Sequence, residues 1–169
     1  IKDLAICSNG MTFKNINKTR VVKQLEKRLR RLQRRVSRKY LKNKEGSKFV
    51  KTSNIIKIEK QIKLLHRKLA CIRSNHIHQA TNKIAKAKPS KIVMETLNIK
   101  GMMKNRHLSK AIAKQCLYEF KRQMKYKSEF YGIEFVEADK WFPSSKLCSE
   151  CGYKKAKLSL SERTYICEE

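Results

Sequence analysis

The sequence predicts an α/β protein with an inserted antiparallel helical hairpin and a small cysteine-bearing module at its C-terminal end. Three observations predict it. Short β-rich stretches alternate with helical periodicity in the order strand hairpin, helices, strand, helix, strand. Two apolar stripes of matching step lie on either side of a polar linker. The last two dozen residues carry a C-x2-C-x15-C pattern, Cys148, Cys151 and Cys167, after Pro143.

In "DLAICSNGMTFKNI" the Asn9-Gly10 pair sits between two short apolar stretches, and that dipeptide supplies the positive φ angles of a two-residue hairpin turn. From Thr19 the pattern becomes helical. Val22, Leu25, Leu29, Leu32, Val36 and Tyr40 recur at steps of three and four and make one narrow seam. After the linker "KNKEGSKFVKTSN", in which Ser53 or Asn54 is placed to cap a helix, Ile55, Ile58, Ile62, Leu65, Leu69 and Ile72 repeat that step. The two stripes are expected to pair as a hairpin, the second helix running on to Pro89, which disfavours helical geometry in the residue before it.

"KIVMETLNI" reads as a buried strand that emerges into a loop at Asn98 to Gly101. Ser109 precedes a helix on which Ile112, Cys116, Phe120 and Met124 step by four, with Gly132 as its C-terminal stop. "IEFVEA" is the last strand. No internal repeat or low-complexity tract interrupts this order.

Composition narrows the function. With 169 residues and 40% hydrophobic content the chain can bury one ordinary core. Against 42 Lys+Arg stand 14 Asp+Glu, a net charge of +28 that repels itself strongly without an anionic partner. Nucleic acid is the first candidate. No apolar run approaches the roughly 20 residues of a spanning helix, so a membrane partner is not expected. Cys7, Cys71 and Cys116 lie far apart, unlike a secreted disulfide framework, and are read as buried thiols of a reducing compartment.

Between Lys27 and Lys44 stand ten cations, Lys27, Arg28, Arg30, Arg31, Arg34, Arg35, Arg38, Lys39, Lys42 and Lys44, with no acid among them. A solvated helix face is the plain alternative. Like charges four apart, as at Arg30/Arg34 and Arg34/Arg38, each cost a few tenths of a kcal/mol, which favours contact with phosphates instead. The expected binding is to the backbone, steeply salt-dependent and with little base preference.

The cysteine spacing matches a zinc ribbon with three thiolates in place, Glu168 and Glu169 being poor substitutes for a fourth. Glu95 is the single carboxylate in its apolar run, and burial would oblige it to pair with a lysine or to hold a cation. Asp3, Glu137 and Asp139 are nearby alternatives, each read as a surface or pairing residue. His66, His76, His78 and His107 show no ligand spacing. Trp141 and Phe142 are placed either to stack on a base or, as the simpler reading, to pack the tail onto the core.

Four blocks, "RRLQRRVSRKY", "KIVMETLNIKGM", "MKYKSEFYGIEFVEADKWFPSSKLCSECG" and "LSLSERTYICEE", make the chain resemble the TnpB (OrfB) family of bacterial insertion sequences, relatives of the type V CRISPR effectors. The resemblance implies an RNase H-like (RuvC) core at 1–17 and 90–145, a basic helical hairpin insertion at 18–89 and a partial zinc ribbon at 146–169. It implies DNA cleavage with Mg2+ or Mn2+, guided by RNA, in a cytoplasmic, nucleoid-associated protein. Glu95 matches the family's second catalytic carboxylate, and Cys148, Cys151 and Cys167 match three of four ligands of a structural Zn2+. The D-x-G with the first catalytic aspartate would fall before Ile1, and the fourth cysteine and an "RD-x-N" would follow Glu169. The chain therefore reads as an internal slice, inactive as a guided nuclease when isolated. Its rival is a non-catalytic basic binding module with a zinc ribbon, and a third option is a strand-transfer transposase, for which no carboxylate triad is visible.

Overall fold

The computed structural model describes residues 2–139, 141–143, 145–148, 150–157, 159 and 164–167. The chain opens with β1 (Asp3–Ile6) and β2 (Thr12–Lys14), paired antiparallel with Ala5 opposite Phe13. The turn between them differs from the two-residue form expected. Cys7 accepts from the Gly10 N–H at 3.0 Å and donates to the Met11 carbonyl at 2.9 Å, and only Gly10 has positive φ, +82°. This is a three-residue loop with one left-handed glycine, and Asn9 contributes its side chain by accepting from the Met11 N–H rather than by adopting positive φ.

Helices α1 (Arg20–Lys42) and α2 (Ser53–Lys86) form the antiparallel hairpin. Both begin at threonine. Thr19 Oγ1 accepts from the Val22 N–H, and Thr52 Oγ1 accepts from the Ile55 N–H. The second cap is one residue earlier than the Ser53 or Asn54 expected, because Thr52 is the last extended residue and Ser53 is already helical. Between the helices, the stretch read as a plain linker pairs as β3 (Lys44–Glu45) and β4 (Lys48–Phe49) around a left-handed Gly46. All four strand residues are exposed, so backbone pairing forms this ribbon without a burial pattern to announce it.

Val22 and Leu29 of α1 bury against Leu65 and Leu69 of α2, with Leu25, Leu32, Ile62 and Ile72 packed around them. Farther along α2 the buried face changes partner. Ile77 and Ala80 join Phe120 and Met124 in a second core, and Leu4, Phe13, Ile92, Met94 and Phe135 pack onto it from the strands. Glu26 ties the junction between the two regions, holding Arg73 Nη2 at 2.9 Å and Lys114 Nζ at 2.6 Å.

β5 (Lys91–Glu95) and β6 (Glu134–Ala138) pair in parallel, from Lys91 opposite Glu134 to Glu95 opposite Ala138. Contrary to the buried strand expected, β5 alternates: Ile92 and Met94 face the core while Lys91, Val93 and Glu95 are exposed. Helices cover one side of this pair only, so period-two exposure replaces burial on both faces. The segment expected as a loop at 98–101 begins a short helix, α3 (Ile99–Met103), capped by Asn98.

The single helix expected after Ser109 is two, α4 (Ser109–Gln115) and α5 (Leu117–Phe130), broken at Cys116, whose φ is +53°. A distant side chain occupies a carbonyl at the break. Asn17, in a 3-10 turn at Ile16–Lys18, donates from Nδ2 to the Lys114 carbonyl, which a continuous helix would offer to the N–H four residues on. Gly132, at φ +65°, ends α5 as expected. Between α2 and α5, Thr81 donates to Gln123, and Lys127 Nζ donates to Thr81 Oγ1 at 2.8 Å and the His78 carbonyl at 3.0 Å. Burial without a carboxylate pushes the Lys127 ammonium below its usual pKa. Among the described residues no helix is long and apolar enough to cross a membrane.

Met124 is fully buried where the strands and both helices meet. Met124→Ala is expected to cost about 2–5 kcal/mol in urea denaturation, whereas Val93→Ala on the open strand face should stay within about 0.5 kcal/mol.

Candidate nucleic-acid face and metal centre

The apolar seam of α1 faces α2, which turns the rest of the helix outward. Lys27, Arg28, Arg30, Arg31, Arg34, Arg35 and Arg38 are exposed, and Lys39 is half-buried near the end of the seam. Among the described residues none of the eight forms an ion pair. The nearby acids are committed elsewhere: Glu26 to Arg73 and Lys114, and Glu59 to Tyr40 and Lys51. The hydrogen bond from Tyr40, with the nearby Lys51 charge adding to it, holds the Glu59 carboxyl below its usual pKa. Steps of three and four also bring Arg20 and Lys23 onto this face, an extension that the count starting at Lys27 overlooked although the periodicity already contained it.

Cys148, Cys151 and Cys167 converge, their sulfurs all within 4.8 Å of one another and those of Cys151 and Cys167 3.4 Å apart. A tetrahedral ion with Zn–S bonds of about 2.3 Å holds its sulfurs roughly 3.8 Å apart, so the three thiols fit such an ion with small adjustments. The framework is local. Cys148 N–H donates to the Tyr153 carbonyl, Lys155 N–H to the Lys146 carbonyl, and Leu147 bridges to Lys154, folding the first hook back on itself through a left-handed Gly152. Backbone N–H groups of Cys151 and Glu150 bring the Cys148 thiol down to about 7. The Tyr153 N–H also favours the Cys151 thiolate, but the adjoining Cys167 and Cys148 sulfurs and burial outweigh it and raise Cys151. Three converging sulfurs are the donor set a thiophilic cation takes. Glu168 and Glu169 lie outside the described residues.

Glu95 ends β5, and its neighbour Thr96 donates to the Ala138 carbonyl at the matching end of β6. Its side chain is exposed rather than buried, so it needs neither a lysine nor a cation to compensate it, and among the described residues it has no charged partner. Among those residues it belongs to no group of three or more metal-ligating side chains. Glu137 pairs with Lys121, Asp139 accepts from the Trp141 N–H, and Asp3 lies on β1, its carbonyl accepting from Gln115. A groove of about 650 Å3 is lined by Leu4, Ala5 and Ile6 of β1 and by all of β5, Glu95 included.

His76 contacts the Lys14 carbonyl, and no histidine joins a ligand group among the described residues. Trp141 and Phe142 are largely exposed rather than packed on the core. Cys7 and Cys116 are half-buried, with burial raising both thiols, whereas Cys71 is exposed because it lies off the seam that α2 buries against α1.

The structure thus brings together a cationic helical hairpin, a mixed α/β core and a three-thiol group that could hold a metal ion. Comparison with known proteins gives the family. Residues 1–106 match the OrfB_IS605 family, described as "Probable transposase", and residues 118–169 match the Cas12f1-like TNB domain. The chain belongs to the OrfB_IS605 (TnpB) family. A Streptomyces pristinaespiralis protein named "Putative RNA-guided DNA endonuclease" is 33% identical over 141 residues, covering 83% of this chain and 33% of its own length. InsQ of Escherichia coli K12, given the same description, is 28% identical over 183 residues, covering 99% of this chain and 42% of its own. A Mycobacterium tuberculosis protein of that description is 35% identical over 97 residues, 54% of this chain and 21% of its own. The chain thus spans between about a fifth and two fifths of these relatives.

One Zn2+ per chain is expected by metal analysis after dialysis, with Cys151→Ser losing it and Cys71→Ser retaining it.

Proposed function

We propose that this chain is the central part of an RNA-guided DNA endonuclease that hydrolyses phosphodiesters with divalent metal. The observation that carries the reading is the placement of Glu95. It stands at the carboxyl end of a parallel strand pair, where open α/β sheets place their ligands. Its exposure leaves it available to an ion instead of consumed by a salt bridge. The names of the relatives and the uncompensated cationic face of α1 support the same reading, with α1 gripping the backbones of DNA and guide RNA.

In this proposal residues 1–17 and 90–145 form the RNase H-like core, 18–89 the basic insertion and 146–169 the zinc ribbon. Both strand pairs rest on one core cluster, in keeping with a single sheet in the longer polypeptide. The groove between the open edges of β1 and β5 has room for a strand that would join them. Glu95 would serve as one carboxylate ligand of the catalytic Mg2+ or Mn2+. Such sites need several carboxylates, and since Glu95 belongs to no group of three ligating side chains among the described residues, at least one further ligand would come from elsewhere.

That requirement also keeps a second reading, in which this stretch binds nucleic acid and does no chemistry. In a polypeptide of the relatives' full length carrying this sequence, Glu95→Ala is expected to abolish guide-programmed cleavage, by at least about a hundredfold, while leaving binding of guide and target within about twofold. Cleavage undiminished by Glu95→Ala would exclude the catalytic assignment and leave the binding module.

A further inference from the structure

α5 buries one face and leaves an unusual one in solvent. Phe120, Gln123, Met124, Lys127 and Ser128 are buried, so the helix already has its core contacts. Outside that face Tyr118, Arg122, Tyr126 and Phe130 follow one another at steps of four, an oblique ridge that rises about 6 Å and turns about 40° per step. Tyr118 is 71% exposed and Phe130 80% exposed. Leaving such area in water is unfavourable unless something covers it.

The chemistry of the row narrows what covers it. Its apolar members are all aromatic, with no leucine, isoleucine or valine, although α1 and α2 use those residues freely where they pack on protein. Arg122 is fixed by two hydrogen bonds to Glu119, at 2.7 and 2.8 Å, and its guanidinium lies 5.7 Å from the Tyr126 ring centroid. The ion pair largely neutralises Arg122 as a phosphate ligand but leaves its plane, like the neighbouring rings, as a stacking surface. Lys125 is exposed beside the row, without a charged partner among the described residues. Flat π-faces with a cation alongside, in a chain of net charge +28, suit unpaired bases on a polyanionic backbone.

We propose that the Tyr118–Arg122–Tyr126–Phe130 row of α5 is a stacking platform for unpaired nucleotides of a single-stranded nucleic acid, distinct from the phosphate-gripping face of α1. It rests on the nucleic-acid reading above and adds a second mode of contact to it. A duplex keeps its bases paired and stacked internally, so the row discriminates single strands from duplexes where α1 does not.

The test separates bases from phosphates. Fluorescence anisotropy with the full chain would compare dT20, U20 and an abasic 20-mer of the same phosphate count. The expected result is a preference for base-bearing over abasic strands of about tenfold, with dT20 against U20 showing whether DNA or RNA is favoured. Tyr118→Ala/Phe130→Ala, both on the exposed face and checked by circular dichroism, should reduce that preference to under about threefold without changing abasic affinity. Tyr118→Trp/Phe130→Trp should retain it. Arg31→Ala/Arg34→Ala/Arg38→Ala should weaken all strands by a similar factor. Equal binding of base-bearing and abasic strands overturns the platform while leaving the cationic face standing. A preference that survives the alanine pair also overturns it and makes the row a contact for another protein surface. Failure to bind any strand overturns the nucleic-acid reading itself.

Discussion

Scarcity of negative charge governs how this protein is put together. With 42 strong cations and 14 acids, most positive side chains must remain unpaired, and the positions of the acids decide which ones. Glu26 serves two cations at once, drawing Arg73 of α2 and Lys114 of α4 to α1 at a half-buried junction where solvent screens less than at the surface. Glu59 fastens the end of α1 through Tyr40, and Glu137 and Glu134 pair with Lys121 and Lys91 beside the parallel strands. None of these serves the outer face of α1. The acids secure the scaffold, and the repulsion left on that face is what the proposed nucleic-acid partner would relieve.

α2 makes this division possible. For its first half the buried residues keep steps of three and four from Ile55 to Ile72, which hold one stripe against α1. A step of five, from Ile72 to Ile77, then shifts the buried stripe around the helix and presents it to α5 and the strands. One 34-residue helix therefore belongs to two cores and transmits the position of the basic hairpin to the sheet that carries Glu95. The thiol module, by contrast, is organised by its own turns and by three sulfurs that a metal ion would draw together.

The features legible in the sequence were those whose signal is local and repeated. The seams of α1 and α2 are long enough for the helical period to be unambiguous, and the cysteine spacing states its ligand geometry directly. What escaped depended on partners distant in the chain. At the break at Cys116 the Lys114 carbonyl accepts from Asn17, nearly one hundred positions earlier. Glu95 was expected to be buried because Ile92, Val93 and Met94 form an apolar run, and nothing within that run reveals that helices cover only one side of it. The same period of four that marked the helix through Phe120 and Met124 also places Tyr118, Arg122, Tyr126 and Phe130 on one ridge. A periodicity marks faces, and which face is buried is decided by neighbours.

In the function proposed above, nucleic acid would lie along the outer face of α1, with α2 as its support. Lysine acetylation footprinting of the chain, with and without a bound nucleic acid, tests this most directly, since exposed lysines stand on both helices. The account predicts strong protection of Lys23, Lys27 and Lys42 and little change at Lys57, Lys60 and Lys68. Equal protection of the two sets, or protection confined to α2, would contradict it.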